Sequence, residues 1–192
     1  TETASGLVAV PPTSASQPAF YDGTVLTLDT VIPTVPSEKE LKALAKKQIG
    51  RQPQNAPLPA SVRQMAGDAV GESTGPYERA QSIAAYLVAQ GFYTRHKAPD
   101  NTDPGHGSGR LDEMAKQDRL VGDEEQYGAL AALMAREEQL PTRLVLGFTP
   151  TGSGAVAIKG SDLTVWLEVA LDGAGWVPVG RITPPRDKHV DT

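Results

Sequence analysis

The longest hydrophobic pattern in the chain lies between residues 121 and 148. Asp123 is a good N-cap, and Glu124 and Glu125 follow it in the first turn of a predicted helix, where the helix dipole favours negative charge. Apolar side chains then recur at helical spacing, and the helix is apolar on nearly every side. The recurring residues are Tyr127, Leu130, Ala131 and Met134. The pattern predicts a buried helix that is ended by Pro141, followed by a buried strand at residues 144–146.

Shorter helical patterns precede this segment. Residues 61–70 and 76–90 each place apolar side chains on one face. Pro76 suits the first turn of the second helix, and we expect Gly91 to form its C-cap. Residues 111–120 predict a further short helix that leads into the central one.

After residue 148 the pattern changes to that of strands. Residues 155–158 predict a short strand between turns at 151–154 and 159–161. Residues 164–171 alternate between two faces, and Asp172-Gly173 predicts a hairpin turn to a partner strand at 176–179. Helices first and an antiparallel sheet afterwards predict an α+β fold.

The first 59 residues are rich in Pro and Ser. They predict a strand at residues 24–32 and a short helix that begins at a capping box of Ser37 and Glu40. We interpret residues 1–59 as an arm or small lobe with a linker, and a connecting stalk is the alternative. Residues 60–185 then form the main domain, and residues 186–192 form a charged tail.

Four ordered motifs, GDEEQY, PTRLVLGF, TVWLEV and GWVPV, resemble the transglutaminase-like domain of the papain-like cysteine enzyme superfamily. The family motifs begin with Gly-Asp-Cys-Glu-Gln and His-Ala-Trp-Val-Glu-Val and end with Gly-Trp-x-x-x-Asp. The resemblance covers about residues 76–183. It implies helices packed on an antiparallel sheet, with the catalytic Cys, His and Asp replaced by Glu124, Thr164 and Gly180 in one cleft.

The family chemistry needs a thiolate at a helix N-terminus beside an imidazole, with an Asp that orients the imidazole. The chain contains no cysteine. Thr164 cannot accept a proton near neutral pH, and Gly180 has no side chain. We therefore expect no catalytic residue and no acyl transfer.

Two functional hypotheses stay open. The favoured one is a catalytically inactive transglutaminase-like domain that binds or scaffolds a peptide, a protein partner or cell-wall material, with Asp123, Glu125, Trp166 and Glu168 as candidate binding residues. The alternative is a hydrolase that uses a carboxylate pair in the region of Glu124 and Glu168, as glycosidases do.

We expect structural roles for several other side chains. Arg143 is expected to pair with an acidic group near the start of the central helix, and Trp176 to pack in the core or a cleft wall, like Trp166. The loop at residues 96–109 carries groups that bind metals well, but their spacing is irregular. These groups are His96, Asp100, Asp103 and His106. We expect a surface loop, no metal and no cofactor.

Composition bounds the remaining classes. With 192 residues, 39% of them hydrophobic, and a net charge of −5, the chain is expected to be a soluble globular fragment without a nucleic-acid partner. No apolar run approaches the ~18 residues of a membrane span, and the chain begins at Thr1, as an excised fragment would. The resemblance implies the extracytoplasmic side of a bacterial membrane-anchored protein, with a function related to the cell envelope.

Overall fold

The computed structural model describes residues 23, 25, 27, 36–44, 57–94, 103–149 and 155–186. The helices, in chain order, are α1 (Glu38–Leu44), α2 (Ala60–Val70), α3 (Pro76–Gln90), α4 (Ser108–Lys116) and α5 (Glu124–Glu137). The strands are β1 (Gly91–Tyr93), β2 (Leu120–Gly122), β3 (Thr142–Gly147), β4 (Thr164–Leu171) and β5 (Gly175–Arg181). A single 3₁₀ turn in these ranges, Gly160–Asp162, precedes β4.

Helix α5 lies in the middle of the core, as the hydrophobic pattern predicts. The Asp123 side chain accepts a hydrogen bond from the backbone N–H of Gln126 at 3.1 Å, which confirms the predicted N-cap. The apolar face of α5 packs against α2, α3 and the sheet. Its four predicted core residues are fully buried: Tyr127, Leu130, Ala131 and Met134.

The end of α5 differs from the prediction. The helix stops at Glu137, before Pro141. The N–H of Leu140 donates to the Ala135 carbonyl, and Gln139 adopts a left-handed backbone with a φ of 56°. This is a Schellman motif, which satisfies the last carbonyl groups of the helix. Hydrogen bonding therefore ends the helix, and Pro141 begins the connection to β3.

Strands β3, β4 and β5 form an antiparallel sheet in that order. The central strand β4 has the predicted bounds and buries Leu167 and Val169 toward the helices. A strand runs through residues 144–146 as predicted, but the prediction that it is buried was wrong, because β3 is an edge strand. Leu144 and Leu146 are 40% and 65% exposed.

A second sheet was not predicted. Strands β1 and β2 pair in parallel and bring residues on either side of α4 together. The buried Tyr127 hydroxyl donates to the Leu120 carbonyl at 2.5 Å and accepts from the Phe92 N–H at 3.0 Å. Gly91 does end α3, but with a φ of −81°, so it is not a left-handed cap. A Cβ there would lie 2.6 Å from the Tyr127 hydroxyl oxygen, and this close approach explains the glycine.

Other predictions have mixed outcomes. Residues 155–159 form no strand and are exposed, and the helix predicted at 111–120 runs from Ser108 to Lys116. The helix after Ser37 is confirmed, and in its capping box the backbone N–H of Ser37 donates to the Glu40 carboxylate at 2.8 Å. Leu41 of this helix is buried in the common core. The turn at 151–154 and most of residues 24–32 lie outside the described residues. The division into three segments stays a prediction, and no helix in the described ranges is long and apolar enough to cross a membrane.

Candidate functional site

Glu124 is the first residue of α5 and stands where the family resemblance places the nucleophilic cysteine. Its Oε2 accepts a hydrogen bond from the Tyr93 hydroxyl at 2.8 Å. Its Oε1 accepts from Nε and Nη2 of Arg186 at 2.9 and 2.6 Å. The carboxylate therefore lies in the field of a helix N-terminus, held by a phenol on one oxygen and a guanidinium on the other.

Arg186 reaches this position from the segment that follows β5. Its Nη2 also donates to the Leu163 carbonyl at 2.8 Å, and its Nη1 donates to the Ser161 carbonyl. Arg181 donates to the Pro184 carbonyl at 3.0 Å and so braces the segment that carries Arg186. This role of Arg186 was not predicted, because the residue lies in the charged tail, beyond the motifs and outside any periodic pattern.

Tyr93 and Arg186 both keep their protons near neutral pH. Burial, with a smaller effect of the hydrogen bond to Glu124, raises the pKa of Tyr93 to about 12. The hydrogen bond to Glu124 raises the pKa of Arg186 above its already high ordinary value. Tyr93 is therefore a neutral donor and Arg186 a cation, and both complement a carboxylate.

The three positions at which the resemblance places the family triad are divided between two adjoining clefts. Glu124 and Thr164 line an open cleft of about 440 Å³ together with Arg186. Thr164 and Gly180 line a second cleft of about 630 Å³, whose wall includes Trp166. Gly180 lies on the strand next to that of Thr164, as the resemblance implies, but it does not line the cleft of Glu124.

Gly180 occupies a β-bulge. Glu168 lies opposite Pro178, and Trp166 lies opposite Arg181, so β5 has one more residue than β4 between these pairs. Gly180 has a φ of 108°, which L side chains rarely adopt. A Cβ there would meet no atom within 4 Å. The position therefore resists a side chain because of its backbone conformation, although there is space for one.

Glu168 is a buried, paired carboxylate. It is 1% exposed, and its Oε2 lies 2.7 Å from both Nε and Nη2 of Arg143. Its Oε1 accepts a hydrogen bond from the Trp166 indole at 3.1 Å. Arg143 also stacks on the Trp176 ring at 4.6 Å, whereas the sequence suggested an acidic partner near the start of α5. These contacts make Glu168 a structural carboxylate, since its buried charge is paired and hydrogen-bonded.

The alternative carboxylate pair is not assembled. Glu124 and Glu168 line different clefts, and each is paired with its own arginine. An acid–base pair needs two carboxyl groups that face each other across one substrate site. Geometry therefore gives the hydrolase hypothesis no support.

The loop before α4 is fastened to the start of α5. His106 Nδ1 lies 2.5 Å from the Glu125 carboxylate, and both side chains are largely exposed. The buried Gln126 donates to the backbone carbonyls of Asp103 and Gly105 at 2.9 and 3.0 Å. These contacts of Gln126 with the loop were not predicted from the sequence, although its place in GDEEQY was the available signal. Across the described ranges no three His, Asp or Glu side chains form a group that could hold a metal, and His96 and Asp100 lie outside them.

These features define the class: a helix whose first residue, Glu124, lines a cleft together with residues of an antiparallel sheet. The sequence model of the transglutaminase-like superfamily matches residues 63–180. The chain belongs to this superfamily. Arg186 lies beyond the matched residues.

Solved structures similar to the chain include the periplasmic domain of TgpA from Pseudomonas aeruginosa, with 16% identity over 66% of this chain and a TM-score of 0.48. A proposed cysteine protease from Cytophaga hutchinsonii has 15% identity over 68% of this chain and a TM-score of 0.47. The matches span only 43% and 41% of those chains. No curated protein sequence matches the chain.

Proposed function

We propose that this chain is a catalytically inactive transglutaminase-like domain that acts as a binding or scaffolding module. The observation that carries the proposal is the pairing of Glu124 with Arg186 at the family's nucleophile position. A carboxylate that accepts hydrogen bonds from a guanidinium and a phenol is a poor nucleophile, because these donors and the helix dipole stabilise its charge. Thr164 and Gly180 supply no base and no group to orient one.

The binding role is supported by the second cleft. Its volume of about 630 Å³ is within the range of small-ligand sites. Trp166 and Phe148 give it an aromatic wall, and Arg181 adds a cation at the same cleft. A peptide, a protein segment or cell-wall material with a flat apolar part would suit such a wall.

We also propose an extracytoplasmic location on a membrane-anchored bacterial protein. The proposal follows from the family resemblance. Fractionation of cells that express the full-length protein tests it. Recovery of the parent protein in the soluble cytoplasmic fraction would argue against it.

Activity assays test the proposed inactivity. Amine incorporation into a glutamine-containing protein and peptide hydrolysis should both stay at background, with an active transglutaminase and a cysteine protease as positive controls. Turnover that disappears in Glu124→Gln would overturn the proposal in favour of a carboxylate enzyme.

Ligand binding is tested separately by tryptophan fluorescence during titration with peptides and cell-wall fragments. The variant Trp166→Phe shows which of the two tryptophans responds. A saturable signal that is lost in Trp166→Phe supports the second cleft as the binding site. A signal unchanged in that variant would place binding elsewhere.

A further inference from the structure

The surroundings of Arg186 have the form of a receptor for a guanidinium group. Glu124 Oε1 accepts from its Nε and Nη2, and the Leu163 and Ser161 carbonyls accept from Nη2 and Nη1. The Tyr93 ring centre lies 5.9 Å from the guanidinium carbon. Three acceptor atoms thus surround one planar group, and this arrangement suits the fixed fork of arginine better than the point charge of lysine.

The acceptors are held by contacts that do not involve Arg186. Glu124 is fixed by its place at the start of α5 and by the Tyr93 hydroxyl at 2.8 Å. The two carbonyls belong to the turn before β4. That turn is braced by the Lys159 N–H, which donates to Asp162 at 2.8 Å, and by the N–H of Leu163, which donates to the Gly160 carbonyl. The receptor is therefore expected to keep its shape when Arg186 leaves it.

The bound guanidinium is accessible. The Arg186 side chain is 36% exposed and the Glu124 side chain 22% exposed. The open cleft of about 440 Å³ lies beside them, so a second side chain can approach without unfolding the domain. Arg186 directly follows the exposed Pro185. Because it is tethered to the domain, it competes with an outside ligand at an effective concentration of ~mM.

We propose that the cleft at Glu124 is an arginine-binding site, filled in this structure by Arg186 and open to an arginine side chain of a partner peptide when Arg186 is displaced. This inference rests on the proposed binding function and adds to it a site in the first cleft, beside the second cleft that Trp166 lines. It names the chemical class of the ligand, a guanidinium on an exposed peptide. It also gives Arg186 the role of an internal competitor.

The test uses the tripeptide acetyl-Gly-Arg-Gly-amide and its citrulline counterpart, which has the same shape without the charge. Each is titrated into the Arg186→Ala protein and followed by NMR shifts of Tyr93, Leu163 and Glu124. We expect the arginine peptide to bind Arg186→Ala at least about 10-fold more tightly than the citrulline peptide, and at least about 10-fold more tightly than it binds the wild-type chain. Addition of Glu124→Gln should remove the preference for arginine.

Equal binding of the two peptides to Arg186→Ala, or no saturable binding by either, would overturn the inference. If Arg186→Ala does not fold, the Nε–H signal of Arg186 in the wild-type chain tests the inference instead. The arginine peptide should shift that signal toward the value of a free arginine, and the citrulline peptide should not. Amine incorporation is measured on the same samples. The peptide titration then tests the arginine site, and the amine-incorporation assay separately tests the proposed lack of catalytic activity.

Discussion

Substitution of Gly180 by alanine tests whether this position, where the resemblance places the family's Asp, tolerates a side chain. At a φ of 108° a residue with a Cβ is strained, and such backbone strain costs about 1–3 kcal/mol. No atom lies within 4 Å of the added Cβ, so a clash contributes nothing. The alanine also restricts the unfolded chain, which recovers about 0.4–1 kcal/mol. We therefore expect Gly180→Ala to lower the free energy of unfolding by about 1–2 kcal/mol.

Gly67→Ala is the matched control. Gly67 lies inside α2 with a negative φ, and a Cβ there also meets nothing within 4 Å. The same added methyl should raise the free energy of unfolding by about 0.5–1 kcal/mol, because alanine loses less entropy than glycine in a helix. The two substitutions should thus change the free energy of unfolding in opposite directions. Neither added Cβ meets a neighbouring atom, so the difference is due to the backbone conformation at the two positions.

Urea unfolding followed by circular dichroism measures both variants. Gly180→Asp should match Gly180→Ala to within about 0.5 kcal/mol, because the strain belongs to the backbone and the space is open. Stability of Gly180→Ala equal to or above that of the wild-type chain would refute the argument.

Two further predictions concern the groups around Glu124. In Glu124→Cys the helix N-terminus and Arg186 should hold the thiol pKa below its ordinary ~8.5. Iodoacetamide should therefore react faster near neutral pH with this thiol than with that of Glu137→Cys, at the other end of α5. Equal reaction rates would contradict this prediction. The second concerns Tyr93, whose pKa is raised from 10.0 to about 12. Because the folded state holds the proton more tightly, stability should be complete below about pH 10 and fall as pH rises through about 12. Urea unfolding at about pH 9 and about pH 11 measures the fall, and Tyr93→Phe should make it smaller; the same fall in both proteins would refute the assignment.

The central helix and the hairpin could be predicted from sequence because both depend on local patterns. Helical spacing from Tyr127 to Met134 set the buried face of α5, and Asp172-Gly173 marked the turn between β4 and β5. The exposure of Leu144 and Leu146 could not be predicted. An apolar run has the same sequence in a central strand and in an edge strand, and only the order of strands in the sheet separates them.

The candidate site was predicted in part. The motifs placed Glu124 at the start of the helix, because four motifs in a fixed order locate a residue along the chain without any knowledge of its contacts in the fold. They gave no information on Arg186, which lies 62 residues further along the chain and reaches Glu124 only through the fold. The same limit applies to the pairing of Arg143 with Glu168 across two strands. Long-range partners depend on sheet register and on the path of the chain after β5, and neither has a local signal.

A double-mutant cycle of Glu124→Gln and Arg186→Ala tests the central claim, that an internal ion pair occupies the family's nucleophile position. Urea unfolding of the four proteins gives the coupling between the two side chains. The exposed pair of Lys42 and Glu38, one helical turn apart in α1, gives the reference value, expected at about 0.3–0.5 kcal/mol. The coupling of Glu124 with Arg186 should be favourable and exceed that reference, at about 0.5–2 kcal/mol, because the pair is less exposed and has two hydrogen bonds. A coupling of zero within error would contradict the account, since Glu124 would then be an unpaired carboxylate at the start of the helix.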